Sequence, residues 1–453
     1  MRRIAALAPV ALALTLAPWN SARAFDAAGT HAGLTESAAL ASTLGRVLTT
    51  NYGCSLGLYD SLRLRLSGER GEQIEKRLAK LDPTEGYAPD HGRLTALGWL
   101  VAGSVAEEIP GDRDRNHFYD PSTGRGLDQG GFLDGLGLRL RRASGAGGSV
   151  RGVFTGSSFD GTGMPSIAWL NSDQNDFSLG HFIEARARAT SAATRGEREE
   201  ALAESLLVAG ALLHVVEDAG DPAHVRNDYR VSIDQLGAPL SRLIAARFGR
   251  LLMPPPSGGA EPLDHLADAI HTRAATGLAD RTQRRFFSEG TLPGAQGSSA
   301  LPKPVAEAGA EARGYVSGDR VKHLAAWVRD ARGEVHWQLD RRCLDDYADA
   351  TLPDTERAAL SAIEHLFRGS LRVQSGSILN GDLDLGAGKI QIFADDDKGV
   401  RRAIGSAEIH SATAGDKLID LPGDLHADTF AALFHGADVH GEPIVIALEI
   451  STK

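Results

Sequence analysis

Residues 198–219 constrain this chain more than any other stretch. Leu202, Leu206, Ala209, Leu213 and Val216 recur on one helical face, and Gly220-Asp221-Pro222 ends the run. An apolar stripe this wide needs neighbouring elements to cover it. The last turn carries His214 and Asp218, four apart and so on the same face, and His224 lies just beyond the helix-ending turn. Gly210 and Ala211, one turn earlier, leave room for something to approach that face. Two imidazoles and a carboxylate at this spacing suit zinc. The same residues also read as a hydrogen-bonded His–Asp pair at a helix end.

The surrounding chain, from about residue 30 to 370, is mostly helical in pattern. Leu34, Ala38, Val47 and Leu48 fall near one face, as do Ile74, Leu78 and Leu81. A further helix runs from Leu94 through Trp99 and Val105 into Glu107-Glu108 and stops at Ile109-Pro110-Gly111. Others are expected near 177–194, 240–252, 262–279, 318–341 and 355–368. Stretches rich in Gly or Ser at 144–163, 254–260 and 294–299 read as loops. After about 370 the pattern changes, with β-branched or alternating runs at 371–378, 389–394 and 444–450 set between turn residues. The expected architecture is mainly α: a helical domain over 25–370, then a small β-rich, sandwich-like domain over 371–453.

Composition removes several function classes. The formal charge is −11, which argues against a general nucleic-acid coat, because phosphate backbones need clustered Lys and Arg. The 2 cysteines, Cys54 and Cys343, are too few for a disulfide framework or a Cys-rich zinc module. No apolar run past residue 24 reaches the roughly 18 residues needed to span a bilayer. The N-terminus itself has a basic start at Arg2 and Arg3, an apolar stretch, and Ala22-Arg23-Ala24 as a small-x-small cleavage site. Residues 1–24 therefore read as a secretory signal cut before Phe25, which makes the protein secreted or periplasmic.

Two other segments bear on the His-Asp-His cluster. Gly29-Thr30-His31 lies close to the expected mature N-terminus, and Asn116-His117-Phe118-Tyr119-Asp120-Pro121 follows the Glu107-Glu108 helix end. Converging neutral imidazoles and carboxylates in an interior is costly without a cation.

On these residues the chain resembles the zinc-dependent phospholipase C family, secreted bacterial enzymes that include the clostridial alpha-toxin. The resemblance rests on Phe25-Asp26, Gly29-Thr30-His31, residues 103–108, His117-Phe118-Tyr119-Asp120-Pro121 and His214-x3-Asp218-x5-His224. It spans about 25–230, more weakly to 370, and the alpha-toxin branch also carries a C-terminal β domain. It implies two or three zinc ions. His117, His214 and Asp218 would hold one, with Glu108 in the place of the family's aspartate and Glu107 as the fallback. The amine and carbonyl of Phe25 would hold a second with His31, Asp218 bridging the two. His224 would begin a third site. The family completes that site with a His-x3-Glu pair, whereas residues 231–250 contain neither residue type. Asp228 and Asp234, or His265, Asp268 and His271, are the candidate substitutes.

The implied activity is phosphodiester hydrolysis by a metal-bridged hydroxide, with Glu108 and Asp218 as the catalytic acids and phospholipid head-group cleavage, to diacylglycerol and phosphocholine, as the leading reaction. Peripheral contact with a membrane fits that substrate, and stable nucleic-acid binding does not. A secreted zinc nuclease of the same helical fold is the alternative within the chemistry, and would need an aromatic base-stacking pocket. A non-catalytic, zinc-stabilised surface protein is the alternative outside it. Gly53-Cys54-Ser55-Leu56-Gly57 matches a nucleophile-elbow pattern, but the elbow needs a strand before it and 42–50 reads as helix. Residues 112–115 read as a solvated charged loop, Phe286-Phe287 as core, and Asp395-Asp396-Asp397 as an exposed acidic turn more readily than a calcium site.

Overall fold

The computed structural model describes residues 25–110, 113–127, 162–228, 239–250, 253, 255–256, 258–293, 312–423 and 429–451. The expected signal at 1–24, most of the 144–163 loop, the loop at 294–299, Asp112 and Asp234 lie outside these.

Nine of the helices matter here: α1 (Ala32–Ala41), α2 (Leu44–Tyr52), α3 (Gly68–Leu78), α4 (Ala96–Ala106), α5 (Leu179–Ser191), α6 (Arg195–Asp218), α7 (Pro239–Arg247), α8 (Leu278–Arg285) and α9 (Arg341–Leu366). Helix α6 starts at a capping box: Glu197 N donates to Thr194 Oγ1 (3.2 Å) and Thr194 N to Glu197 Oε2 (2.9 Å). From Ala201 to Asp218 it is buried on every side, so it is the central helix and not merely an amphipathic one.

Helix α4 lies against it at very close range. A Cβ on Gly210 would sit 1.8 Å from the Leu100 carbonyl oxygen, and one on Gly103 would sit 1.8 Å from that of Leu207. What the gap at Gly210 admits is therefore the backbone of α4. The two glycines let the helices touch main chain to main chain, which brings the Ser104 carbonyl to the His214 ring.

Two expected helices are absent. The first two strands, β1 (Ser61–Arg63) and β2 (Arg93–Thr95), form a short antiparallel pair, and the segment expected as a helix at 318–341 is instead most of a three-stranded antiparallel sheet, β3 (Arg313–Gly318), β4 (Val321–Arg329) and β5 (Val335–Gln338). Its apolar residues, Val321, Leu324, Trp327 and Val335, favour a pleated surface, and Arg320 (φ 66°) and Gly333 (φ 85°) turn the chain at the breaks between strands. Within 262–279, ahead of the start of α8 at Leu278, only Leu266–Ala269 forms a single 3₁₀ turn. There Asp280 accepts backbone hydrogen bonds from Thr272 (3.3 Å) and Gly277 (3.0 Å), offering the chain an alternative to a helical ladder. The sheet buries Val316, Leu324 and Trp327 with Phe25, Leu34, Phe286, Phe287 and Tyr347, so Phe286-Phe287 is core as expected.

After residue 370 the described chain is all strand. β6 (Leu371–Gln374), β7 (Ser377–Asn380) and β10 (Lys417–Asp420) form one antiparallel sheet. β8 (Leu385–Asp395), β9 (Arg401–Ile409), β11 (Thr429–Asp438) and β12 (Pro443–Ser451) form another in the order β12-β11-β8-β9. The run at 371–378 is split by Ser375 and Gly376, both at positive φ, a primed hairpin turn. Strand β11 is covered on both faces. Phe430, Ala432 and Phe434 enter a core with Leu371 and Ile378, while Ala431 and Leu433 join the core of the helical region.

Among the described residues no helix is long and apolar enough to cross a membrane. Cys54 and Cys343 are buried free thiols. Ser55 sits in a turn after α2, with no strand before it, so no nucleophile elbow forms. Asp395 is committed to Arg401 (2.7 Å) and Arg198 (3.4 Å).

Candidate metal centre

Three donors converge at the C-terminal end of α6. His31, His214 and Asp218 each offer an atom, all within 4.8 Å of one another and all buried. His31 arrives on a single turn of π-helix, Ala27–His31, which is capped by Asp26 accepting from Gly29 N (2.6 Å). Its ring stacks on that of His214, with centroids 3.8 Å apart. Phe25, buried, lies edge-on to His31 at 5.7 Å.

The hydrogen bonds fix which ring nitrogens face inward. The Ser104 carbonyl can only accept, so His214 Nδ1 carries the hydrogen that it receives at 2.6 Å. His31 Nδ1 donates to Glu217 Oε2 (2.7 Å), and Thr35 Oγ1 donates to the other oxygen of Glu217 (2.8 Å). Both Nε2 atoms then point at Asp218, at 3.2 Å from Oδ1 for His31 and 3.3 Å from Oδ2 for His214. Neither Nε2 atom has a hydrogen-bond partner, and neither has Asp218 Oδ1. A neutral His214 therefore aims a lone pair at a carboxylate in a buried site. A bound cation satisfies both at once, and the donor set of two imidazoles and a carboxylate fits zinc. Holding a ligating imidazole by its other nitrogen to a carbonyl or carboxylate is the usual outer-shell arrangement.

Asp218, Glu217 and Glu107 favour positive charge on the groups around them. Burial penalises charge on His31, but Asp218 and Glu217 together raise it to about 10. His117 likewise rises to about 9 against burial, through Asp218 and Glu107. His214 falls to about 4, driven by burial and by His31. Asp218, despite burial, is held well below the usual carboxylate range by His214, His224 and His31. The site draws positive charge to its centre and cannot protonate all of its imidazoles.

His117 joins from the far oxygen of Asp218, donating from Nδ1 to Oδ2 at 2.7 Å. Its Nε2 stands 3.3 Å from Glu107 Oε1. Of the Glu107-Glu108 pair, Glu107 thus meets an imidazole, although the sequence pattern put Glu108 first. Glu107 is held by both oxygens to Arg113 Nη2 (2.7 Å each) and by Trp169 Nε1 (3.0 Å), and it stays ionised near 2 despite burial. Glu108 is buried beside Asp114, close enough to help burial push that carboxyl up to about 7 against the pull of His117.

His224 stacks on Phe118 at 4.1 Å, with Nδ1 3.4 Å from Asp221 Oδ2. It is close enough to Asp218 to depress it but is not one of the three converging donors. Among the residues considered to complete its site, Asp228 accepts from Gly290 N (2.6 Å), His271 pairs with Asp280 (2.8 Å), and His265 and Asp268 cap a 3₁₀ turn. Arg113 and Asp114 are buried, which overturns the reading of 112–115 as a solvated loop: the guanidinium is drawn in by Glu107.

Glu217, Ser104, Arg113 and Trp169 were not singled out as functional from sequence. Only Glu217 left a trace there, as a second acid beside Asp218. The others depend on which elements pack together.

The chain matches no protein-family model and none of the curated protein sequences. Among solved structures it is similar to the alpha-toxin from Clostridium absonum, at 11% identity and a TM-score of 0.29 over 94% of this chain and 99% of that one. The Clostridium perfringens alpha-toxin from avian strain SWCP gives the same identity and TM-score over 96% and 100%. Superposition this loose carries no weight for fold or chemistry, so the functional reading rests on the site itself.

Proposed function

We propose that this chain is a secreted or periplasmic divalent-metal hydrolase of phosphodiesters, zinc-dependent and of the phospholipase C type. One observation carries the reading: two imidazole nitrogens and a carboxylate oxygen are buried, aimed at one point, and left without hydrogen-bond partners. Zinc bound there would supply Lewis-acid polarisation of a phosphoryl oxygen and a water acidic enough to attack near neutral pH. The chain's own residues do the positioning. Ser104 and Glu217 set the tautomers of His214 and His31, Asp218 presents one oxygen to each side, and Glu107, clamped by Arg113 and Trp169, orients His117. The substrate class, a phospholipid whose head group stays open, rests on the sequence resemblance and on the net charge of −11, which disfavours a nucleic-acid substrate.

Total burial gives the second reading its support. His31, His117, His214 and Asp218 are at most 2% exposed, which also suits a closed, structural zinc. The test is metal content together with turnover of short-chain phosphatidylcholine, phosphatidylinositol and single-stranded DNA by the purified chain. Zinc-dependent release of phosphorylated head groups, abolished by chelation and restored by zinc, is expected. Hydrolysis of DNA alone would favour a nuclease. Retained zinc with no turnover of any of the three would make the ion structural.

A further inference from the structure

Next to the metal centre lies a cavity of about 740 Å³ whose wall includes three arginines, Arg77, Arg113 and Arg115, with Asn116, Trp169 and Asp176. It is one carboxylate away from the imidazoles. Arg113 and Trp169, both in its wall, hydrogen-bond to Glu107 Oε1, and that same oxygen faces His117 Nε2. Asn116 precedes His117 in the chain.

The charges in this wall do not cancel. Arg113 is neutralised by Glu107 and Arg77 by Asp176 through its Nη2. Arg115 has no acidic partner among the described residues. Arg77 is 8% exposed, and its second terminal nitrogen, Nη1, is buried without a hydrogen-bond partner. Arg77 and Arg113 also crowd the same ring, their guanidinium carbons 5.1 and 5.4 Å from the centre of Phe177. Among the described residues the wall thus sets three guanidinium groups against the carboxylates of Glu107 and Asp176.

Two segments of the wall pack tightly together. A Cβ on Gly163 would sit 1.8 Å from the Arg115 carbonyl oxygen, so that segment packs directly on the Arg115 backbone. Asn116 Oδ1 accepts from Met164 N at 2.9 Å, tying the same two segments together. Arg77, held to Asp176 with its Nη1 unmatched, and Arg115, with no acid beside it among the described residues, suit a phosphate better than a quaternary ammonium.

We propose that this arginine-walled cavity binds a second anionic group, a phosphate on the head group, and so selects head groups that carry an added phosphate over the same head groups without it. The proposal deepens the hydrolase reading above and names the substrate feature that the same site would prefer.

The test compares phosphatidylinositol with its monophosphate, which differ only in that added phosphate, in mixed micelles with the full chain. A preference for the monophosphate of about tenfold or more in kcat/KM is expected from a charge-assisted contact. Arg115→Gln should bring the ratio close to one, and Arg77→Lys should lower it while keeping the charge. A separate arm measures binding of inorganic phosphate to the full chain by calorimetry, with and without chelator. A binding event that survives chelation and disappears in Arg115→Gln is expected. If neither lipid is cleaved, and phosphatidylcholine and single-stranded DNA are not cleaved either, but that binding event is present, the hydrolase reading fails and the anion cavity stands. If both lipids are cleaved equally, and the Arg115→Gln protein binds phosphate as the parent does, the cavity proposal is wrong and the hydrolase reading is untouched.

Discussion

Two buried histidine–carboxylate clusters among the described residues share residue types and differ in what they lack. In the first, His31, His117 and His214 surround Asp218. In the second, at the junction of α9 and the β11–β12 turn, His365 meets Glu442, while Arg368 bridges Glu442 (3.1 Å) and Asp438 (2.8 Å). In the second every carboxylate oxygen is matched and only the Arg368 Nε donor is left over: Glu442 Oε1 takes the Leu266 N–H (2.9 Å), Oε2 takes His365 and Arg368, and Asp438 takes Arg368 and the N–H groups of His440 and Glu442. The first leaves two imidazole nitrogens and a carboxylate oxygen converging without hydrogen-bond partners. A buried histidine next to an acid is therefore no sign of a metal. Orphaned donors converging on one point are.

That contrast can be broken most severely by removing one acid from each cluster. Asp218→Ala should reduce zinc per chain to a trace and take hydrolysis with it, a loss larger than the roughly 10–100-fold seen for outer-shell changes. Glu442→Ala should leave zinc content unchanged and instead cost about 3–5 kcal/mol of stability, as expected when a buried pair loses one partner. Metal analysis and urea unfolding of both variants separate these outcomes. If both lose zinc equally, the two clusters do not differ in kind.

Glu217→Gln probes the outer shell of the first cluster. The amide still meets His31 and Thr35 but no longer strengthens the imidazole, so zinc affinity should fall about 10–100-fold with the fold intact. Competition with a chromophoric chelator reads this directly.

The smallest effect concerns Glu356 on α9, behind Glu217. Burial and the nearby Glu217 raise its carboxyl to about 8, against the Ser37 hydroxyl. A raised acid keeps its proton in the folded state when the unfolded chain has already lost it. Its contribution is fully present below about pH 4.5 and is lost as pH rises to about 8, with a slope of at most about 1.4 kcal/mol per pH unit. Glu356→Gln should flatten the fall in stability across that window. An unchanged pH profile would show that Glu356 ionises normally.

The elements that mattered most were readable because their signals are local. The stripe of α6 and the His214-x3-Asp218 pair lie within one helix, so periodicity alone put them on a common face. The strand-rich character after residue 370 was visible in the same way, although β9, β10 and β11 were not singled out. The sheet at 313–338 was missed because short apolar runs such as Val321–Trp327 fit either period, and the turns at Arg320 and Gly333 decide between them. The roles of Ser104 and Arg113 could not be read at all. Ser104 acts through a backbone carbonyl, which any residue type supplies. It reaches His214 only because Gly103 and Gly210 let two helices meet closely, and Arg113 is buried only because Glu107 is.

The central claim is that a cation sits among His31, His214 and Asp218. Anomalous diffraction from crystals of the purified chain, recorded on both sides of the zinc absorption edge, tests it most directly. The account predicts a peak within bonding distance of both Nε2 atoms and of Asp218 Oδ1. A well-ordered map showing the two imidazoles and the carboxylate hydrogen-bonded to one another, with no peak between them in zinc-supplemented crystals, would contradict it.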